Sequence, residues 1–211
     1  MRSDHCAVLL LVLSGCTPSP PPARTGSARP RAKPPELYRV RFQTTQGDFL
    51  VEVTRAWAPR GADHFYELVN QKFYDGARFF RVVRRFIAQF GIHADPKTQR
   101  FWGTLAIPDD SVVGKNRRGT LSFAKLGPQT RTTQVFINLS DNPLLDRTGF
   151  APFGRVVEGM ETVDKLYFAY GEVAPRGAGP DPTRIQREGN FYLDRQFPRL
   201  DSIVRATVVV K

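Results

Sequence analysis

The chain has 211 residues, 41% hydrophobic and 24% charged, with a net charge of +11. That size and mixture fit one soluble domain with an appendage, and exclude a disordered or fibrous chain. The basic excess is not confined to a tail, since residues 36–211 alone carry +7. Yet no basic helix stripe or nucleic-acid motif accompanies it, so a solvated basic surface is expected and no nucleic-acid partner.

The amino-terminal segment reads as an address. Residues 7–13, A-V-L-L-L-V-L, are too few to span a bilayer but suit the core of a secretory signal. They run into Leu13-Ser14-Gly15-Cys16, which resembles a bacterial lipobox. That resemblance implies a signal peptide over 1–15, lipidation of Cys16 and an extracytoplasmic, membrane-anchored protein, the periplasmic face being expected. An ordinary cleaved leader or a mispredicted start is the rival reading, but Cys16 then has no evident use. Cys6 and Cys16 are the only cysteines, so the remaining chain needs no disulfide and offers no thiolate to a metal. Residues 17–35 are proline-rich without apolar periodicity. With Cys16 they form a tether, 16–35, able to hold a domain up to roughly 60 Å from a membrane at about 3.1 Å per residue.

From residue 36 onward the pattern is that of a folded domain. Tyr38, Val40 and Phe42 alternate with polar residues, and Phe49, Val51 and Val53 resume the alternation after Thr44-Thr45-Gln46-Gly47. This predicts a β-hairpin. Pro59 suits a helix start, followed by an apolar stripe of Ala62, Phe65, Tyr66 and Val69 that ends before Gly76. Further strands are expected near 78–83, 86–91, 119–124, 134–138 and 152–157, with a second helix from Glu158 to Tyr167. Residues 171–200 read as an extended, partly ordered connection, and the β-forming tail D-S-I-V-R-A-T-V-V-V as a last strand. Many short strands with two helices predict a mainly β protein of barrel type. Asp109-Asp110 reads as a solvated turn, and His93 with Asp95 lacks the further ligands a metal site needs.

Four segments then stand out: F-F-R-V-V-R-R-F-I-A-Q-F-G (79–91), L-S-F-A-K-L-G-P-Q-T (121–130), T-Q-V-F-I-N-L (133–139) and F-A-P-F-G-R-V-V-E-G-M (150–160). In this order and spacing they resemble the cyclophilin family of peptidyl-prolyl isomerases, from about Tyr38 to Val210. The resemblance implies a closed eight-stranded antiparallel β-barrel with a helix over each end and the last strand beside the first. It implies a catalytic arginine at Arg81 and a proline pocket of Phe86, Ile87, Phe136 and Leu145. Gln89 and Gln134 would position the peptide, Ala124 and Lys125 would pair with its backbone, and Phe150 would form the rim. The sequence departs from the common family pattern at Phe80, where many members have histidine, at Leu144, where many have tryptophan, and at Lys125, where asparagine is common.

The chemistry asks for little else. Rotating a prolyl amide crosses a barrier of about 18–20 kcal/mol without making or hydrolysing a bond. No nucleophile, metal or cofactor is expected, only proline-containing client proteins and tighter binding of the twisted amide. Two rivals remain: a non-catalytic proline-peptide-binding or chaperone module on the same fold, and an assembly factor using the basic surface. Nothing signals an oligomer, so a monomer is the default.

Overall fold

The computed structural model describes residues 34–209. The expected signal peptide, Cys16 and the tether up to residue 33 lie outside the described residues. Strands β1 (Leu37–Thr44) and β2 (Gly47–Thr54) form the expected hairpin. Their register sets Tyr38 against Val53, Val40 against Val51 and Phe42 against Phe49. These six side chains are buried while Arg41, Gln43 and Asp48 face solvent, as a half-buried strand requires. At the turn, Gly47 adopts φ +119, which a β-carbon would oppose.

Six further strands complete one sheet: β3 (Arg81–Val83), β4 (Ile87–Phe90), β5 (Thr120–Phe123), β6 (Val135–Asn138), β7 (Pro152–Glu158) and β8 (Ile203–Val209). The order is β3-β4-β6-β5-β7-β2-β1-β8, and each pairing between these strands is antiparallel. The tail strand lies beside the first, as expected. The expected closure does not occur. Among the described residues no ladder joins β3 to β8, and the sheet is an open half-barrel. Its two ends meet where the chain approaches β3, through Phe79 N–H to Asp201 O (2.9 Å), Ile203 N–H to Ala77 O (2.9 Å) and Gly76 N–H to Ile203 O (2.8 Å). The physical reason is length: β3 has three residues and ends in a turn at Arg84 and Arg85, the latter at φ +60, too short to carry pairing along β8.

The curled sheet encloses an aromatic core. Phe42, Phe65, Tyr74, Phe79, Phe90, Phe123 and Phe153 are all fully buried in it. Each contributes about 1.5–3 kcal/mol by leaving water. Tyr38 and Tyr74 keep their hydroxyls satisfied by donating to Ala62 O (2.6 Å) and Thr133 O (3.1 Å). Helix α1 (Pro59–Asn70) starts at its proline and turns Ala62, Phe65 and Val69 inward against β7 and β8.

The helix count differs from expectation. Beyond α1 the described residues hold α2 (Pro96–Gly103), α3 (Pro143–Arg147), α4 (Met160–Asp164), α5 (Pro182–Glu188) and α6 (Asn190–Gln196). The two-helix expectation captured α1 and, at half its predicted length, α4. The others are short and amphipathic over barely two turns, so local patterning hides them. Two of them carry side-chain caps. Asp95 accepts from Thr98 N–H (2.9 Å) at α2, and Asp181 accepts from Thr183 N–H (2.8 Å) at α5, each followed by proline. His93 and Asp95 are thus accounted for: His93 Nδ1 accepts the Asp95 N–H at 2.8 Å just before that cap.

The connection 171–200 is therefore not extended but largely helical and packed. Ile185, Tyr192, Leu193 and Leu200 form a second apolar cluster with Phe80 and Ile92, with Tyr170, Val173 and Phe197 packed against it. Phe80 is 1% exposed there, which explains an aromatic residue at that position.

Candidate functional site

Period-two geometry builds the site. Val82, Ala88, Phe90, Val135, Ile137, Leu121 and Phe123 enter the core. Their neighbours must face the other side of the sheet. There the register aligns Arg81 with Gln89, Gln89 with Phe136 and Phe136 with Ser122, a straight row across β3, β4, β6 and β5.

At one end of the row the Arg81 guanidinium is held from two sides. Nη1 donates to Gln89 Oε1 at 3.0 Å, and Gln89 Nε2 in turn donates to Gln134 Oε1 at 2.9 Å. Nη2 donates to Glu172 Oε2 at 2.7 Å. Arg81 Nε is 2.6 Å from Glu172 Oε1. That contact is too bent to be a hydrogen bond and acts as an ion pair, leaving Nε without a hydrogen-bond acceptor. The Phe86 ring covers the guanidinium, its centroid 5.6 Å from Cζ. Partial burial alone pushes the Glu172 carboxyl upward. Hydrogen bonds from Arg81 and the Val173 amide, with the charges of Arg81 and Arg176, outweigh it and hold the group below its usual range.

Beside the arginine lies apolar surface. Ile87 and Phe136 are each 3% exposed, and the Phe150 ring meets Phe136 edge-on at 5.7 Å. Leu145 and Phe150 sit half-buried on the loop around α3, tied together by Phe150 N–H to Leu145 O (3.0 Å). A buried polar network beneath fastens this loop to the sheet. Asn116 Nδ2 donates to Asp146 Oδ1 and Phe150 O, both 2.8 Å, while its Oδ1 accepts from Ser122 Oγ (2.9 Å) and Asn138 Nδ2 (3.1 Å). Asn142 Nδ2 bridges to Phe86 O at 3.0 Å.

The remaining expected residues are placed with more nuance. The Ala124 N–H is committed to Gln134 O (2.9 Å) and is not free to pair with a peptide. The Lys125 ammonium lies 3.3 Å from Asp109 Oδ2 and 5.5 Å from the centre of the Phe150 ring. Asp109-Asp110 is not a solvated turn. Arg131, 2% exposed, pairs with Asp109 at 3.2 Å and Asp110 at 3.0 Å, and donates to Pro108 O. Sequence reasoning missed Glu172, Asn116, Asn142 and Asp146. Only the asparagines carry a signal, as small amides beside the matched segments. Glu172 has none, because its partner is far away in the chain.

Residues 39–182 match the family model described as cyclophilin type peptidyl-prolyl cis-trans isomerase/CLD. The chain belongs to the cyclophilin family. Its enzyme class is accordingly that of a peptidyl-prolyl cis-trans isomerase. It is 36% identical over 146 residues to a peptidyl-prolyl cis-trans isomerase of Arabidopsis thaliana, covering 66% of this chain and 85% of that one. It is 32% identical to peptidyl-prolyl cis-trans isomerase A of Dickeya dadantii, covering 67% of this chain and 75% of that one. Among solved structures, a cyclophilin type isomerase of Cryptosporidium parvum shares the fold at a TM-score of 0.60 and 23% identity, covering 83% of this chain and 99% of that one. The same protein, solved in the presence of the dipeptide ala-pro, matches at a TM-score of 0.60 and 24% identity over 82% of this chain and 99% of that one. The cyclophilin match stops at the first residue of α5, so nearly all of α5 and α6 lies beyond it.

Proposed function

We propose that this cyclophilin accelerates X-Pro isomerisation in client proteins outside the cytoplasm, with Arg81 as the catalytic donor. The observation that carries the reading is the Arg81 guanidinium, held by Gln89 beside the apolar surface of Phe86, Ile87 and Phe136. The proline ring, which offers no amide donor, rests on Phe136, Ile87, Phe86 and Leu145, with Phe150 as the rim. Gln89, Gln134 and the backbone edge at Ala124 and Lys125 hold the peptide in place. As the amide twists, its nitrogen pyramidalises and regains a lone pair. Arg81 donates to that lone pair, an interaction nearly absent in the planar amide, so it lowers the barrier rather than merely tightening binding.

NMR exchange spectroscopy on a short Ala-Pro peptide tests this with the full chain and with Arg81→Ala. Exchange should be fast with the wild type and fall about a hundredfold in the variant, the scale of losing one preorganised donor. Unaccelerated exchange with retained peptide binding would instead favour the binding-module reading. The location is a second part of the proposal, and it rests on the lipobox-like Leu13-Ser14-Gly15-Cys16. Expression in a bacterium with labelled palmitate should label the membrane fraction, and Cys16→Ala should release the protein. Equal membrane association without label would sink the anchor.

A further inference from the structure

The segment between α4 and β8 brings a carboxylate to Arg81. Glu172 approaches Arg81 opposite Gln89, with its two oxygens 2.7 Å and 2.6 Å from Nη2 and Nε. Arg81 therefore spends one donor on Gln89 and one side of its fork on Glu172, and the rotation of the guanidinium is blocked at both. A planar fork held at two edges is preorganised in a way that one amide contact cannot match.

Glu172 is itself fixed. Its Oε1 accepts from the Val173 N–H at 2.9 Å, and its carbonyl accepts from the Gly179 N–H at 2.8 Å. The chain folds back on it so closely that a β-carbon on Gly177 would lie 2.4 Å from Glu172 O and 2.8 Å from Glu172 Cβ. Behind this loop stands the second apolar cluster, in which Val173 packs against the core formed by Phe80, Ile185, Tyr192 and Leu193. Phe80 and Arg81 are consecutive on the approach to and start of β3. One face of that strand entry thus anchors the segment and the other receives its glutamate.

We propose that Glu172 is a positioning residue for Arg81, and that the α5–α6 cluster serves to deliver it. Glu172 touches no substrate in this scheme. It orients the guanidinium so that the free donors aim at the pyramidal nitrogen, and it does so at the expense of some positive charge at the site. Orientation is the larger effect, because the gain from a directed donor is lost with small misplacement. This inference rests on the reading of Arg81 as the donor.

The test compares the full-length wild type with Glu172→Gln, Gly177→Ala and Arg81→Ala. Exchange spectroscopy gives kcat and KM for an Ala-Pro peptide, and 15N NMR of the arginine side chains gives the rotation rate of the Arg81 guanidinium. Glu172→Gln, close in shape and still able to fold, should lower kcat about tenfold, equivalent to about 1.4 kcal/mol, with KM nearly unchanged. It should also free the guanidinium rotation. Gly177→Ala should do both without altering any charge. A kcat that stays constant or rises in Glu172→Gln, while Arg81→Ala is inactive, overturns the positioning role alone. Activity retained in Arg81→Ala overturns the donor assignment and the inference with it.

Discussion

The polar network under the pocket makes a quantitative prediction for Asn116→Ala. Asn116 is 2% exposed and serves four groups: Asp146, Phe150 O, Ser122 and Asn138. Not all are stranded by its loss. Asn138 keeps Thr120 Oγ1 at 3.0 Å, and Asp146 keeps the residue 116 backbone N–H at 2.8 Å. Ser122 Oγ, fully buried, and Phe150 O each lose this contact. At about 1–3 kcal/mol per stripped buried group, the variant should lose about 3 kcal/mol. For a domain of this size that is a fall of about 6–12 °C in Tm. The site should respond unevenly. The loop bearing Leu145 and Phe150 is loosened while the Arg81–Gln89 bond lies on other strands, so KM should rise more than kcat falls. Urea unfolding followed by circular dichroism gives the first quantity, and NMR exchange over a range of peptide concentrations the second. A loss under about 1 kcal/mol together with an unchanged KM would refute the claim that this network holds the pocket rim.

Other outcomes follow from the same geometry. Phe136→Ala removes the floor of the proposed pocket and the edge-on partner of Phe150, so peptide affinity should fall at least about tenfold, while stability drops by about 3 kcal/mol. Binding followed by chemical-shift titration checks it, and unaltered affinity would move the pocket elsewhere. Phe80→His places a polar ring in the second cluster at a position 1% exposed. It should cost about 1–3 kcal/mol and raise hydrogen exchange in α5 and α6 before the barrel strands. Uniform protection throughout would mean that the cluster is not a separate unit. Activity should be flat between about pH 6 and 8, since an arginine stays charged there. Glu172, held below its ordinary value, is also ionised in that window. The contribution of its pairing to stability is complete above the unfolded carboxylate value and is lost only as pH falls through the lower, folded one. A steep loss of turnover near neutrality would implicate a different titrating group.

Much of this protein is local in origin and so legible in the chain. Alternation decides which side of a strand enters a core, so Tyr38 to Val53 announced their hairpin, and the same period places Arg81 and Gln89 away from Val82, Ala88 and Phe90 in the structure. The spacing of four segments carried the cyclophilin family itself. The sequence could not show what depends on closure in space. Whether eight strands seal a barrel is decided by how far β3 runs alongside β8, and three residues do not suffice. Short helices such as α3, α5 and α6 owe their existence to the surfaces they cover rather than to their own periodicity. Asp109-Asp110 became a buried ion-pair site only because Arg131 folds onto it. Glu172 stands 91 residues from Arg81. A carboxylate in a loop carries no mark of its partner, and only the packing of Val173 and its neighbours against Phe80 brings the two charges together.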